Sequence, residues 1–587
     1  MEQGTLKKFW WVGVIAMLAG VLHIAPYIYF ERSLGLEYKD VHMTGAYDED
    51  FYLALVNQAR IGKSAFANPY TYENRDQGIN FRYQILETLI GKIAHGLRLS
   101  MDAVALAVKF FSSAILFIIL FVFGRSLTKS ATGGVLAAVF VEFGNELARL
   151  ELGPALSTIF HWQSSFNSFL FYDRPVYPSI TAIFFFLALF MSWRLLENNK
   201  HLLALWLGVF IGLISYLYFY YWAFLIILIS ALLVIALIRK DYSLAKNYML
   251  TIGIAVLASG PFLLNIYGTL GQAGADTANI AKNFIFTHRF IIEKVLLLPM
   301  AILGAIFVWF KHKSRTFPRQ FIFLGAVLIT GLLASNQQVI TGMEVQQHHF
   351  HFMTNIPILL LFSGVFLWYL LNLLNRDIPM YRYVKVMTIS FVIVAVIAHA
   401  VGVQASSYRY WDDEFVDRQR WAGAFSWLNE HTDKNDVVLA NFEVSESVPV
   451  YTHNYVYGAL HAMSYPVPIE RLAHNYFTEI YLAGVRADNA REFMDVNRDK
   501  MGQYIFEGQY WRATCGSFGC FPDSWFEKLV SDYQTFVSKP FEEQLKKYRL
   551  DYVIWDTRRD PVWQLDKYKL PKQVFLQDDV VIYNLKP

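Results

Sequence analysis

The chain alternates long apolar runs with short polar and often basic segments, and only its last third breaks that alternation. Apolar runs at residues 9–30, 102–124, 131–148, 176–196, 202–216, 217–238, 247–268, 295–310, 321–338, 352–374 and 386–404 each read as a helix. Most approach the roughly 20 residues an α-helix needs to cross a hydrocarbon core of about 30 Å. The pattern therefore predicts a polytopic α-helical membrane protein of about 11 transmembrane helices. The first run follows Lys7 and Lys8 as a signal peptide would. It is longer than a signal core and lacks a small-x-small cleavage site, so it predicts a retained span.

Basic residues give the spans a direction, because short cytoplasmic loops are enriched in Lys and Arg. Alternate connections carry Arg125 and Lys129; Arg194 and Lys200; Arg239, Lys240 and Lys246; Lys311, Lys313, Arg315 and Arg319; Arg376, Arg382 and Lys385. Of the intervening loops, 339–350 carries none and 269–294 carries three, Lys282, Arg289 and Lys294. This asymmetry puts the N-terminus in the cytoplasm of a plasma or inner membrane, and an odd number of crossings leaves the C-terminus outside. Parity makes residues 202–238 a hairpin that turns near Tyr216–Tyr221.

Two outer segments are too long to be turns. In residues 31–101, apolar positions around Phe51–Val56 and Ile85–Ile93 recur at helical spacing, predicting two amphipathic helices on the membrane surface. Residues 405–587 are charged and polar, with a helical pattern at Trp421–Leu428 and strand patterns at Asp436–Ala440, Tyr552–Trp555 and Val580–Tyr583. The expected division is a membrane domain over 1–404, carrying the 31–101 loop, and an extracytoplasmic α/β domain over 405–587. Both cysteines, Cys515 and Cys520, fall in the latter, where a disulfide is permitted. Zinc would need further ligands that no pattern supplies. A formal charge of +3 is too small to imply nucleic acid as a partner.

Chemistry concentrates at the outer ends of the spans. Asp48, Glu49 and Asp50 follow the first span in the run Tyr47-Asp-Glu-Asp-Phe-Tyr52. Crowded carboxylates beside a bilayer repel one another and resist desolvation, which suits a base, a metal ligand or a solvated loop. Arg174 stands in Tyr172-Asp-Arg-Pro-Val-Tyr-Pro178, either paired with Asp173 or free to take phosphate on its planar fork. His288, Arg289 and Lys294 precede the eighth span, at the depth of lipid headgroups. Gln346-Gln-His-His-Phe-His351 opens the tenth; His348 and His351 have a spacing that admits a metal, phosphate or acceptor contact, or a structural role. Glu142 and Glu146, at the outer end of the third span, point to a polar cavity, since acids within membranes seldom face lipid.

The topology and the motif Asp48-Glu49-x-x-Tyr52 together resemble the C-type superfamily of integral-membrane glycosyltransferases, GT-C. The motif is similar to that of the bacterial aminoarabinose transferase, and the acidic pair is similar to that of protein O-mannosyltransferases. The resemblance implies an inverting enzyme that moves a hexosyl or pentosyl group from a polyprenyl-phosphate carrier to a glycan, lipid or protein acceptor on the outer face. It implies Asp48 as the base, Glu49 in support and Asp40 as a rival. Donor phosphate would meet Arg174, Arg289, Lys294, His348 and His349, with Asp173, Glu142 and His351 towards the acceptor. No cofactor is required, although a divalent metal is compatible. Tyr410-Trp-Asp-Asp413 departs from the Trp-Trp-Asp-x-Gly motif of oligosaccharyltransferases, and Asp173 lacks the second acid of their Asp-x-Asp pair. The competing classes are a lipid or saccharide transporter or flippase, and a membrane-anchored sensor or assembly protein.

Overall fold

The computed structural model describes residues 9–586, apart from 46–47, 64–66, 78–82, 150–151, 165–166, 270–283, 374–378, 507–522, 564 and 566–571. Every predicted span is a helix. In chain order they begin with α1 (Trp10–Leu34), followed by a loop bearing α2 (Glu49–Arg60) and α3 (Ile85–Leu97). Then come α4 (Met101–Thr128), α5 (Ala131–Phe143), the short α6 (Leu152–His161), α7 (Ser179–Asn198), α8 (His201–Leu217) and α9 (Phe219–Ile238). The bundle ends with α10 (Tyr242–Thr269), α11 (Lys294–His312), α12 (Arg319–Ala334), α13 (Ile356–Leu373) and α14 (Pro379–Arg418). Among the described residues eight helices are long and apolar enough to cross a membrane, and α5, α8 and α12 are shorter apolar helices. The chain is an integral membrane protein.

Small residues let these helices approach closely, since lipid supplies little hydrophobic drive between them. A Cβ on Gly364 of α13 would lie 2.9 Å from the Leu136 carbonyl of α5, and one on Gly212 of α8 would lie 2.4 Å from Ala258 Cβ of α10. The α5 helix stops at Phe143, short of the predicted 148. Gly144 and Asn145 follow it, residues that favour chain exits over helix interiors.

At one end of the bundle Glu197 gathers three segments. It pairs with Lys129, pairs with Arg194 at 2.7 Å, and its carbonyl accepts from Arg319 at 3.1 Å. The other end carries the long loops. There β1 (Phe284–Phe286) pairs antiparallel with β2 (Met343–Val345), joining the connections before α11 and after α12.

Helix α14 continues without a break past residue 404 to Arg418 and leads into α15 (Ala422–His431). Beyond it, a five-stranded sheet has the order β4-β3-β5-β7-β6. The strands are β3 (Val437–Leu439), β4 (Tyr455–Val456), β5 (Tyr552–Asp556), β6 (Lys572–Gln577) and β7 (Val580–Asn584). Strand β3 runs parallel to both neighbours, whereas β7 is antiparallel to β5 and β6. Helices α16 (Phe442–Tyr451) and α17 (Ile469–Leu482) lie among these strands in sequence.

The two predicted surface helices differ. Helix α3 exposes Ile85, Leu89, Ile93 and Leu97, one apolar stripe at i, i+4 spacing, as a helix lying on a membrane would. Helix α2 is instead buried on nearly every face, from Glu49 to Ala59. Asn57 donates from Nδ2 to the carbonyls of Pro449 (3.0 Å) and Thr452 (2.8 Å) at the end of α16. Phe51, Leu53, Val56 and Tyr70 share one hydrophobic core with Trp421, Val438 and Val448. The C-terminal region covers this helix, which an amphipathic pattern alone cannot distinguish from lipid.

Candidate active site

Asp48 stands at the N-cap of α2, where the helix N-terminus favours a negative charge. Its side chain does not cap the helix. It pairs instead with Arg174, 126 residues away, and accepts a hydrogen bond from the Tyr52 hydroxyl at 3.4 Å. Both members of the pair remain partly exposed, Asp48 at 33% and Arg174 at 23% of their side-chain surface, so the pair can meet a ligand. Burial works against the Arg174 charge, but Asp48 beside it raises its pKa above the ordinary arginine value.

Asp173, one of the two alternatives the sequence left for Arg174, faces the other way. It accepts from His23 of α1 at 2.5 Å and from Gln404 of α14 at 2.8 Å. His23 also approaches Glu142 of α5 at 3.4 Å. Glu146 accepts from the Phe171 backbone at 3.1 Å. Three spans thus clamp the turn Phe171–Asp173, and the next residue, Arg174, is aimed at Asp48.

Glu49 is fully buried and salt-bridged to Lys109 of α4 at 3.0 Å, while Gly45 donates its N–H at 3.2 Å. Burial pushes its carboxyl up to about 7, against the opposing pull of Lys109. Lys109 also lies 3.7 Å above the centre of the Tyr27 ring. Next to this group His42 bonds Asp102 at 2.6 Å; burial lowers the His42 pKa. Asp50 meets Arg418 at 3.6 Å, and burial raises its pKa. Asp40 is exposed, with φ of 62°, and takes no part in the Asp48–Arg174 pair.

Aromatic rings connect Asp48 to the histidine segment. Tyr52 lies 5.1 Å from Tyr177, and Tyr177 lies 5.6 Å from Tyr218, measured between ring centres. The Tyr218 hydroxyl hydrogen-bonds His349 Nδ1 at 2.5 Å, and Tyr220 stacks on His349 at 4.4 Å while donating to Gln346. Glu293, buried ahead of α11, accepts from Gln347 and from His351 Nδ1 at 2.9 Å. His348 is half-buried beside His349. His288 bonds the Val339 carbonyl at 3.1 Å. Arg289 and Lys294 are exposed and form no ion pair among the described residues. Among those residues no group of three or more His, Cys, Asp or Glu could hold a metal ion. Cys515 and Cys520 lie outside the described residues.

Asp48, Tyr52, Arg174 and the histidines stand out in the sequence, whereas Lys109, His23, Glu293, Tyr218 and Tyr220 were not singled out. Lys109 and His23 carry a legible signal, since each interrupts an apolar run, and ionisable residues inside spans face protein. Tyr218 and Tyr220 had none, tyrosine being common at membrane interfaces.

Fold and site define a polytopic helical membrane protein with a polar cluster where its spans meet its long loops. The chain is similar to ArnT from Cupriavidus metallidurans, in crystal structures of the apo state and of the protein bound to undecaprenyl phosphate. The apo structure shares 13% identity with a TM-score of 0.49, over 99% of this chain and 98% of that one. The bound structure shares 12% identity with a TM-score of 0.46, over 96% and 98%. No family model and no curated protein matches the chain. Similarity at this level leaves any functional reading to rest on the chain's own residues.

Proposed function

We propose that this protein is an inverting glycosyltransferase that takes a sugar from a polyprenyl-phosphate carrier and passes it to an acceptor on the outer face of the membrane. The observation that carries the reading is the half-exposed Asp48–Arg174 pair at the loop-bearing end of the spans. Transfer needs a base beside the acceptor and a cation beside the leaving phosphate, and these two residues supply both. Without donor they neutralise each other. A carrier phosphate that engages the Arg174 fork frees Asp48.

Asp48 then removes the acceptor hydroxyl proton as that oxygen attacks the anomeric carbon. The anomeric C–O bond to phosphate breaks on the opposite face, and polyprenyl phosphate leaves with its charge held by Arg174. His349, fixed by Tyr218 and Tyr220, and the exposed Arg289 and Lys294 extend the phosphate side. Glu49 holds the loop through Lys109 and Gly45 and serves as a positioning residue. An apolar groove of about 270 Å³ between α3, α4 and α7, lined by residues such as Ile90, Phe111 and Ile183, supports a lipid-borne donor. Ile90 and Tyr52 both pack against the cluster of Leu86, Val176 and Tyr177, and Val176 and Tyr177 follow Arg174 by two and three residues in the chain.

Transfer of radiolabelled sugar from polyprenyl-phosphate donors in reconstituted vesicles tests the reading. Asp48→Asn should lower the rate by about 10²–10⁴, the usual weight of a general base, while Asp40→Asn stays within about twofold. If both variants keep full activity, the assignment fails.

A further inference from the structure

The C-terminal region holds a cavity of about 390 Å³ that the proposed transfer chemistry does not use. The first turn of α16 contributes Phe442 and Glu443, α17 contributes Tyr476 and Glu479, and the segment after β5 contributes Asp560 and Trp563. Aromatic rings and carboxylates thus line one space. The polar groups are set in place. The Tyr504 hydroxyl donates to Glu479 at 3.1 Å, and the Asn441 amide donates to Asp560 at 2.6 Å. Burial pushes the Glu479 carboxyl up to about 8, opposed by the Tyr504 hydrogen bond, so near neutral pH it can donate as well as accept.

The lining selects a ligand class. Flat aromatic rings accept an apolar face, and carboxylates accept hydrogen bonds from hydroxyl groups at its rim. A pyranose ring offers both, and the volume falls within the usual range for small-molecule sites. An anion is disfavoured: Glu443 and Asp560 face the space as carboxylates, and of the two cations there, Lys500 and Arg559, Arg559 is already engaged by Glu414 at 2.9 Å and Asp417 at 3.0 Å. Helix α16 joins this cavity to the first loop. Phe442 and Glu443 begin it, and Pro449, seven residues on and therefore about 10 Å along the axis, receives the Asn57 hydrogen bond.

We infer that this cavity binds an uncharged pyranose unit of a glycan, stacked on its aromatic rings and held through Glu443, Glu479 and Asp560. The inference does not depend on the transfer reaction, because binding is measured without turnover. The test uses the full chain in lipid nanodiscs free of sugar-headed detergent, observed by saturation-transfer NMR. The probes are the methyl glycosides of glucose, galactose, mannose and N-acetylglucosamine, with glucose 6-phosphate as the charged control. At least one neutral glycoside should give ring C–H signals, and glucose 6-phosphate at least fivefold less. Glu443→Gln and Phe442→Leu, both at half-buried positions, should each reduce the signal at least fivefold with the circular dichroism spectrum unchanged. Silence from all four glycosides, equal signal from glucose 6-phosphate, or undiminished signal in both variants would each overturn the inference.

Discussion

Removing one member of the buried Glu49–Lys109 pair should cost far more than removing both. The side chains are 1% and 0% exposed and meet at 3.0 Å. At an effective dielectric of about 20, unit charges at that distance attract by roughly 5 kcal/mol, most of which offsets their desolvation. Lys109→Met leaves the Glu49 carboxylate buried without its cation and forfeits the contact above Tyr27, an expected loss of about 3–5 kcal/mol. Glu49→Gln should cost about 3 kcal/mol, the low end of that range: it leaves the Lys109 ammonium buried without its anion, although an amide oxygen can still accept the Gly45 N–H. The double variant should lie within about 2 kcal/mol of the parent, giving a coupling energy of at least about 4 kcal/mol. The assay is unfolding of the purified protein in mixed micelles titrated with dodecyl sulfate at pH 8, followed by tryptophan fluorescence. Additive effects, or a Lys109→Met loss below about 1 kcal/mol, would refute the claim that this pair anchors the acidic loop.

The same residue predicts a pH dependence. The Glu49 pKa rises from 4.5 to about 7 in the fold, so the folded state holds the proton more tightly than the unfolded chain. Its contribution is most favourable below pH 4.5, declines as pH rises from 4.5 to 7, and is flat above; at 1.36 kcal/mol per unit the fall is about 3 kcal/mol, and the Glu49→Gln/Lys109→Met double variant should lack it. Arg174→Ala should weaken binding of polyprenyl phosphate about 10- to 100-fold in a fluorescence-quenching titration, with Arg174→Lys between it and the parent, and equal affinities would contradict a phosphate role. Asn57→Ala removes two buried hydrogen bonds between α2 and the end of α16, an expected loss of about 2–4 kcal/mol. Faster hydrogen exchange confined to residues 442–452 and 49–60 would locate that loss at the seam; an unchanged pattern would argue against it.

The spans were legible because lipid demands continuous apolar runs, and each run became a helix. Their ends were less so. The apolar signal tracks the membrane rather than the backbone, so α14 was expected over 386–404 although it continues through Tyr410-Trp-Asp-Asp413 to Arg418. Helix α2 shows a deeper limit. Its amphipathic stripe was readable, but whether lipid or protein covers that stripe depends on α16, almost 400 residues later. In the C-terminal region the buried strands β3, β5 and β7 were visible as short apolar runs. Strand β6, whose side chains are exposed or half-buried, and the two-residue β4 offered no such signal.

The site divides along the same line. Asp48 and Arg174 were each recognisable as chemistry-bearing residues at span ends, yet the sequence offered Arg174 only its neighbour Asp173 or a phosphate, with nothing to join it to Asp48. Adjacent residues leaving a 3₁₀ turn project in different directions, and His23, Glu142 and Gln404 hold Asp173 within the bundle. That arrangement gives the buried acids and His23 a purpose the sequence could not assign. From fully buried positions they fix the direction of Arg174. Among the described residues of this network, the partly exposed Asp48–Arg174 pair beyond them is the part that a phosphate can reach without first breaking the bundle. If the transfer reading holds, donor binding must come before general-base catalysis, since Asp48 is neutralised until phosphate claims Arg174. An ordered kinetic scheme, with donor binding first, is the consequence; random-order binding would separate the Asp48–Arg174 pair from the chemistry.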